Sequence, residues 1–121
     1  MTRGAGVAGL CILVAMAAYA FGASLPRPLS GNYAFTGRTL VDPPPDEPQD
    51  TRFVVTLDGE AARDLYRTLK ASPRRDACRD DGSASKRAGD VTCTMSAARN
   101  AYECTFAIDL VARKLAPGAV C

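Results

Sequence analysis

"DVTCTMSAARNAYECTFAIDL" (residues 90–110) is the stretch that decides how this chain folds. In its first half Val91, Cys93 and Met95 alternate with Thr92, Thr94 and Ser96. In its second half Tyr102, Cys104, Phe106, Ile108 and Leu110 alternate with Ala101, Glu103, Thr105, Ala107 and Asp109. A period of two sustained over this length is the mark of half-buried strands, and the polar "SAARN" between the halves suits a connection, so the stretch reads as a β-hairpin over 91–111. Placing Met95 opposite Tyr102 sets Cys93 against Cys104, Val91 against Phe106 and Thr92 against Thr105, which matches like with like across the strands. A slip of one residue would turn Glu103 and Asp109 into the core and is excluded. A slip of two keeps the faces and separates the cysteines, and the pattern alone does not choose against it.

What the cysteines mean depends on where the chain goes. Met1-Thr2-Arg3 gives a short basic start, and no further charge occurs before Arg27. Between them "GVAGLCILVAMAAYA" is an apolar run ending in Ala18-Tyr19-Ala20, small residues at alternate positions. That layout is a secretory signal peptide, with cleavage expected after about Ala20. The alternative is an uncleaved inner-membrane anchor, since the uncharged stretch is just long enough to span a bilayer; its many Ala and Gly residues make it weakly hydrophobic and favour cleavage. Leu10 precedes Cys11, so Cys11 is read as part of the apolar run and not as a lipidation site.

Four cysteines follow the signal: Cys78, Cys93, Cys104 and Cys121. An even number in a small exported chain reads as a disulfide framework. No CxxC spacing and no histidine occur, which argues against zinc and against a redox pair. Three pairings are possible. The preferred one is sequential, Cys78 with Cys93 and Cys104 with Cys121, because it would tie down both the long 71–90 connection and the C-terminal tail; the alternative closes Cys93 on Cys104 and leaves Cys78 for Cys121.

Outward from the hairpin, "RFVVTL" (52–57) is a β-rich run with Phe53, Val55 and Leu57 on one face. Asp58 is a good helix N-cap, and residues 59–70 place Ala61, Ala62, Leu65, Tyr66 and Leu69 on one apolar stripe. Glu60 with Arg63 and Asp64 with Arg67 are possible ion pairs one turn apart. Ser72-Pro73 ends the helix. Residues 21–50 read as a flexible, proline-rich spacer with a possible short strand at 33–41, and "DPPPDEPQD" (42–50) favours extended polyproline II geometry, read as a stiff acidic linker in preference to a docking peptide for an aromatic groove. The expected organisation is therefore a signal peptide at 1–20, a spacer at 21–50 and a compact α+β domain at 51–121. In that domain a small antiparallel sheet, made of one strand and the hairpin, carries one packed helix and is stapled by disulfides.

Composition narrows function more than it names it. The chain has 121 residues, with 15 Lys and Arg against 13 Asp and Glu, a formal charge of +2. That balance gives no footprint for nucleic acid. The absence of histidine removes Ser-His-Asp and Cys-His catalysis. Glu103 and Asp109 share a strand face, but six residues of extended chain separate them by about 20 Å, too far for a shared acid–base site. Asp80-Asp81-Gly82 suggests a calcium loop, yet Ala77 would hold the first ligand position, so the pattern fails. No metal and no cofactor are expected. The 71–90 connection carries Arg74, Arg75, Arg79, Lys86 and Arg87, the candidate partner-binding residues, nearly balanced by Asp76, Asp80, Asp81 and Asp90. The outward face of Thr92, Thr94, Glu103 and Thr105 is a second, weaker candidate.

The expectation is a small periplasmic or secreted, non-catalytic interaction protein. It would act as an inhibitor or accessory of another exported or envelope protein, and touch a membrane only if the N-terminal segment stays uncleaved. Two alternatives come from other classes. One is an inner-membrane-anchored accessory subunit; the other is a small exported enzyme working through Asp80, Asp81, Glu103 or Asp109.

Overall fold

The computed structural model describes residues 25–121; the signal-peptide reading of residues 1–20 lies outside them. Strand β1 (Gly31–Thr36) is followed by β2 (Arg52–Asp58), helix α1 (Gly59–Thr68), β3 (Arg74–Arg75), β4 (Ala84–Ala88), β5 (Val91–Met95), β6 (Tyr102–Asp109) and β7 (Lys114–Ala116). All seven strands form one antiparallel sheet in the order β1-β2-β6-β5-β4-β3, with β7 paired to the far end of β6. The α+β class, the single packed helix and the hairpin stand as the sequence implies. The hairpin register is the one that pairs Cys93 with Cys104, Thr92 with Thr105 and Met95 with Tyr102.

One face of the sheet meets the helix. Leu57, Ala62, Tyr66, Cys93 and Cys104 are buried together, with Val55, Leu65, Leu69, Val91, Met95, Tyr102 and Phe106 packed around them. Ala62, wholly buried, lets the helix backbone approach the hairpin, and the Cys104 sulfur lies 3.4 Å from the Ala62 carbonyl oxygen. Since that sulfur is bonded to Cys93 it carries no proton, and the contact is packing. The rings of Tyr66 and Tyr102 meet edge-on at 5.5 Å, which joins the helix to the start of β6.

Asp58 takes the N-cap position, but its side chain makes no cap hydrogen bond; its carboxylate accepts instead from the Ser30 hydroxyl. Glu60 and Arg63 form the expected pair at 3.6 Å. Asp64 turns away from Arg67 and pairs with Arg63 and Arg27, both at 3.3 Å.

Three features differ from the sequence reading. The sheet extends upstream of Thr51: β1 runs along β2 with Phe35 opposite Phe53 and Tyr33 opposite Val55, so this part of the 21–50 segment is not a spacer. The Phe53 ring lies 5.2 Å from that of Tyr33 and 5.3 Å from that of Phe35, an aromatic cluster that offsets the weak strand content of its surroundings. The proline-rich connection behind it is tied down as well. The Glu47 carboxylate accepts from the Thr39 amide and hydroxyl, and the Gln49 side-chain oxygen accepts from the Gly37 amide at 3.1 Å.

The second difference lies in the 71–90 connection, which contains two strands, β3 and β4. The third is the disulfide pairing. Cys93 bonds Cys104 across the hairpin, with Cα atoms 4.0 Å apart, and Cys78 bonds Cys121, with Cα atoms 5.4 Å apart. The sequential pairing fails for a geometric reason. Cys93 and Cys104 point into the same sealed core, at 0% and 1% exposure, and neither sulfur can reach the surface where loop and tail meet. The tethering that favoured the sequential pattern is achieved by the single bond between Cys78 and Cys121.

Candidate binding cleft

The cleft forms where the chain leaves the helix. Past Pro73, Arg74 and Arg75 pair with Ser85 and Ala84 of β4. Asp76 follows and turns its side chain inward, 8% exposed. Its carboxylate accepts from the Ser85 hydroxyl, from the Thr94 hydroxyl at 3.1 Å and from the Cys78 amide at 2.8 Å, while its own amide donates to the Ser83 carbonyl at 2.9 Å. The Ser85 hydrogen bond, assisted by those from Cys78 and Thr94, holds the Asp76 carboxyl below its ordinary value of 3.8 in spite of burial. Asp76 therefore clamps the 76–83 loop onto β4 and β5. Asp81 accepts from the Ser83 amide at 2.9 Å and, through the Ser83 hydrogen bonds, is likewise held low; Gly82, at φ 81°, supplies the left-handed turn.

Against this clamp lies an open cleft of about 700 Å³ on the side of the sheet away from the helix. Arg74 and Arg87 line it from neighbouring strands, Asp76, Ser85 and Thr92 contribute polar groups, and Cys78 and Cys121 close one end. Arg74 and Arg87 are both exposed, and neither forms an ion pair with a described residue. Arg87 donates to the Thr92 hydroxyl at 3.3 Å, which steadies the guanidinium on the sheet. With Asp76 ionised and saturated by its own donors, the cleft carries two cations against one anion. A guanidinium presents a planar fork of donors that suits a carboxylate or another oxyanion.

The five cationic residues singled out from the sequence are not one surface. Arg74 and Arg87 share the cleft. Arg75 is paired with Asp80, and Arg79 with Glu103 at 2.8 Å. Lys86 lies on the opposite face, where its ammonium donates to the carbonyls of Tyr66 at 3.0 Å and Leu69 at 3.4 Å and sits 4.6 Å above the Tyr66 ring. It is a clasp on the helix C-terminus, favoured by the helix dipole and the ring face. The outward face holds Thr92 at the cleft, while Thr94 is buried against Asp76 and Glu103 is engaged by Arg79.

Nor do the carboxylates converge. Asp80 and Glu103 are held by separate arginines, and Asp109 sits at the other end of β6, where its carboxylate accepts from the amides of Ala112 at 2.8 Å and Val111 at 3.0 Å. Those two amides, led by Ala112, with Arg52 and Arg38 nearby, hold the Asp109 carboxyl low. Among the described residues no group of three His, Cys, Asp or Glu side chains is placed to hold a metal ion, and no helix is long and apolar enough to cross a membrane. No protein family, curated protein or solved structure matches the chain. Two disulfides in so small a domain fit an oxidising, non-cytoplasmic compartment.

Proposed function

We propose that the protein is a small exported, non-catalytic binding protein that holds an acidic segment of another exported or envelope protein, as its inhibitor or accessory. The observation that carries this reading is the pair of unpaired guanidiniums, Arg74 and Arg87, on a cleft made rigid by the Asp76 clamp and the Cys78–Cys121 bond. Binding residues fixed on a rigid scaffold lose little entropy on docking. The disulfides and the signal-like N-terminus agree in pointing outside the cytoplasm.

The test is a comparative capture from the envelope and exported fractions of the source cell. The unmodified protein should retain a partner that the Arg74→Ser/Arg87→Ser variant loses, with retention falling as salt rises. An Arg75→Ser variant should behave like the unmodified protein. Equal retention by the double variant would overturn the reading.

A further inference from the structure

The two edges of the sheet are finished in opposite ways. β3 is two residues long, both exposed arginines, a short and charged edge of the kind that discourages pairing with another chain. β1 is six residues, GNYAFT, with no charge and no proline, and among the described residues nothing pairs with its outer side. The Asp58 amide donates to the Ser30 carbonyl at 3.1 Å, so even-numbered residues of this segment turn their main-chain groups toward β2. By alternation, Gly31, Tyr33 and Phe35 turn theirs outward.

The side chains on this edge are equally unusual. Tyr33 is 67% and Phe35 55% exposed, on the face they share with Phe53. Beside Gly31 lies an apolar hollow of about 220 Å³, walled by Leu29, Tyr33, Phe53, Val55 and Leu57. A side chain on Gly31 itself cannot fill it: at φ 152° a Cβ there would lie 2.2 Å from the Thr56 carbonyl oxygen. A bare glycine on a strand is commonly covered by an aromatic ring from the neighbouring strand.

We propose that β1 pairs antiparallel with β1 of a second copy of this chain, about a twofold axis at Tyr33, so that Phe35 of each copy lies opposite Gly31 of the other and fills its hollow. Outward-facing groups must meet outward-facing groups, which leaves two central registers. An axis at Tyr33 makes three hydrogen-bonded pairs, about six main-chain bonds. An axis at Ala34 makes two such pairs, because Gly31 would then oppose Gly37, whose amide is already given to Gln49, and it leaves the hollow empty. The strand has no charge to repel its copy, and an isologous pairing closes on itself without forming a fibre. The exposed parts of Tyr33 and Phe35 supply roughly 200–300 Å² of aromatic surface per copy, which places the contact among small, reversible interfaces. This surface is the edge opposite to the Arg74/Arg87 cleft and does not depend on it.

The test is sedimentation velocity on the full disulfide-bonded chain from an oxidising expression compartment, from about 1 to 200 µM. A monomer–dimer equilibrium is expected, and Phe35→Lys should raise its midpoint at least about tenfold, a charge on an edge being a standard obstacle to pairing. Under oxidation Tyr33→Cys should link two copies covalently. Ala34→Cys, which emerges on the other face opposite Asn32 of the second copy, should not. All three positions lie outside the core that packs around the helix, so an unchanged disulfide map and far-ultraviolet spectrum establish folding. A monomer at every concentration overturns the proposal, whether residues 1–24 or a strand of another protein then occupies the edge. So does a dimer indifferent to Phe35→Lys, or equal cross-linking by Ala34→Cys.

Discussion

Replacing Asp76 by alanine should loosen the cleft by removing the clamp on the 76–83 loop. The carboxylate accepts three hydrogen bonds, from Ser85, Thr94 and Cys78, and is 8% exposed. Hydrogen bonds to a charged acceptor contribute about 1.5–3 kcal/mol each, but the three losses do not simply add. The Ser85 and Thr94 hydroxyls lie 3.2 Å apart and can bond to each other, and the Cys78 amide can turn to water at the open cleft. What remains is a net loss of about 2–4 kcal/mol, most of it from desolvated donors left without their acceptor.

The pH dependence gives the sharper signature. The folded carboxyl titrates below its ordinary value of 3.8, so its contribution is complete above that value and is lost as pH falls through the lower, folded value. Urea unfolding at pH 7 and again between pH 5 and 2 should show the unmodified protein losing stability with acid, and Asp76→Ala losing less over the same interval. Asp81 and Asp109, also held low, keep some of the slope in the variant. A loss under about 0.5 kcal/mol at pH 7, the size of an ordinary surface change, together with an unaltered acid slope, would refute the clamp.

Other perturbations separate structural from binding roles. Lys86→Ala should cost about 1–2 kcal/mol through the helix C-terminus and the Tyr66 ring, measured by urea unfolding, while leaving partner retention by the folded protein unchanged. Cys78→Ser/Cys121→Ser opens a separation of 43 residues, for which chain entropy alone gives about 4 kcal/mol; thermal unfolding should fall accordingly, with the helix and hairpin retained. Cys93→Ser/Cys104→Ser opens a separation of only 11, about 3 kcal/mol by the same rule, yet it also puts hydroxyls into the sealed core, so its measured loss should be the larger.

The parts of the fold legible in the sequence are those where one face is apolar and the other wet. The 90–110 stretch declares both its strands and their faces because Glu103 and Asp109 cannot turn inward together, while the choice against a two-residue slip comes from the pairing of Cys93 with Cys104 in the structure. β2 and α1 declare themselves by the change of period at Asp58. β4 was hidden, since "ASKRA" places polar groups on both faces: Ser85 meets the Asp76 clamp, and Lys86 reaches across to the end of the helix. Neither partner is within local sequence range. β1 was half legible; its aromatic alternation marks a strand, but only the contact with Phe53 shows that the strand belongs to the domain.

The cleft was legible as charge and not as shape. Arg74 and Arg87 differ from Arg75, Arg79 and Lys86 only in what surrounds them, and those surroundings arise from β3–β4 pairing and from Cys121 closing on Cys78. The disulfide pairing misled because tethering the loop and tethering the tail look like two tasks in sequence, and one bond performs both. The apolar edge at Tyr33 and Phe35 had a sequence signal, an uncharged aromatic alternation, that gained meaning only when the strand proved to be an edge.

The fold is held by two particular disulfides, and the proposed function requires export. The most direct test is a non-reducing peptide mass map of the protein taken from its source cells, with free thiols alkylated before lysis. Expected are an N-terminus just after about Ala20, no alkylation at Cys78, Cys93, Cys104 or Cys121, and linked peptides joining Cys78 to Cys121 and Cys93 to Cys104. A chain that keeps Met1 with all four thiols alkylated would contradict both the disulfides and the export.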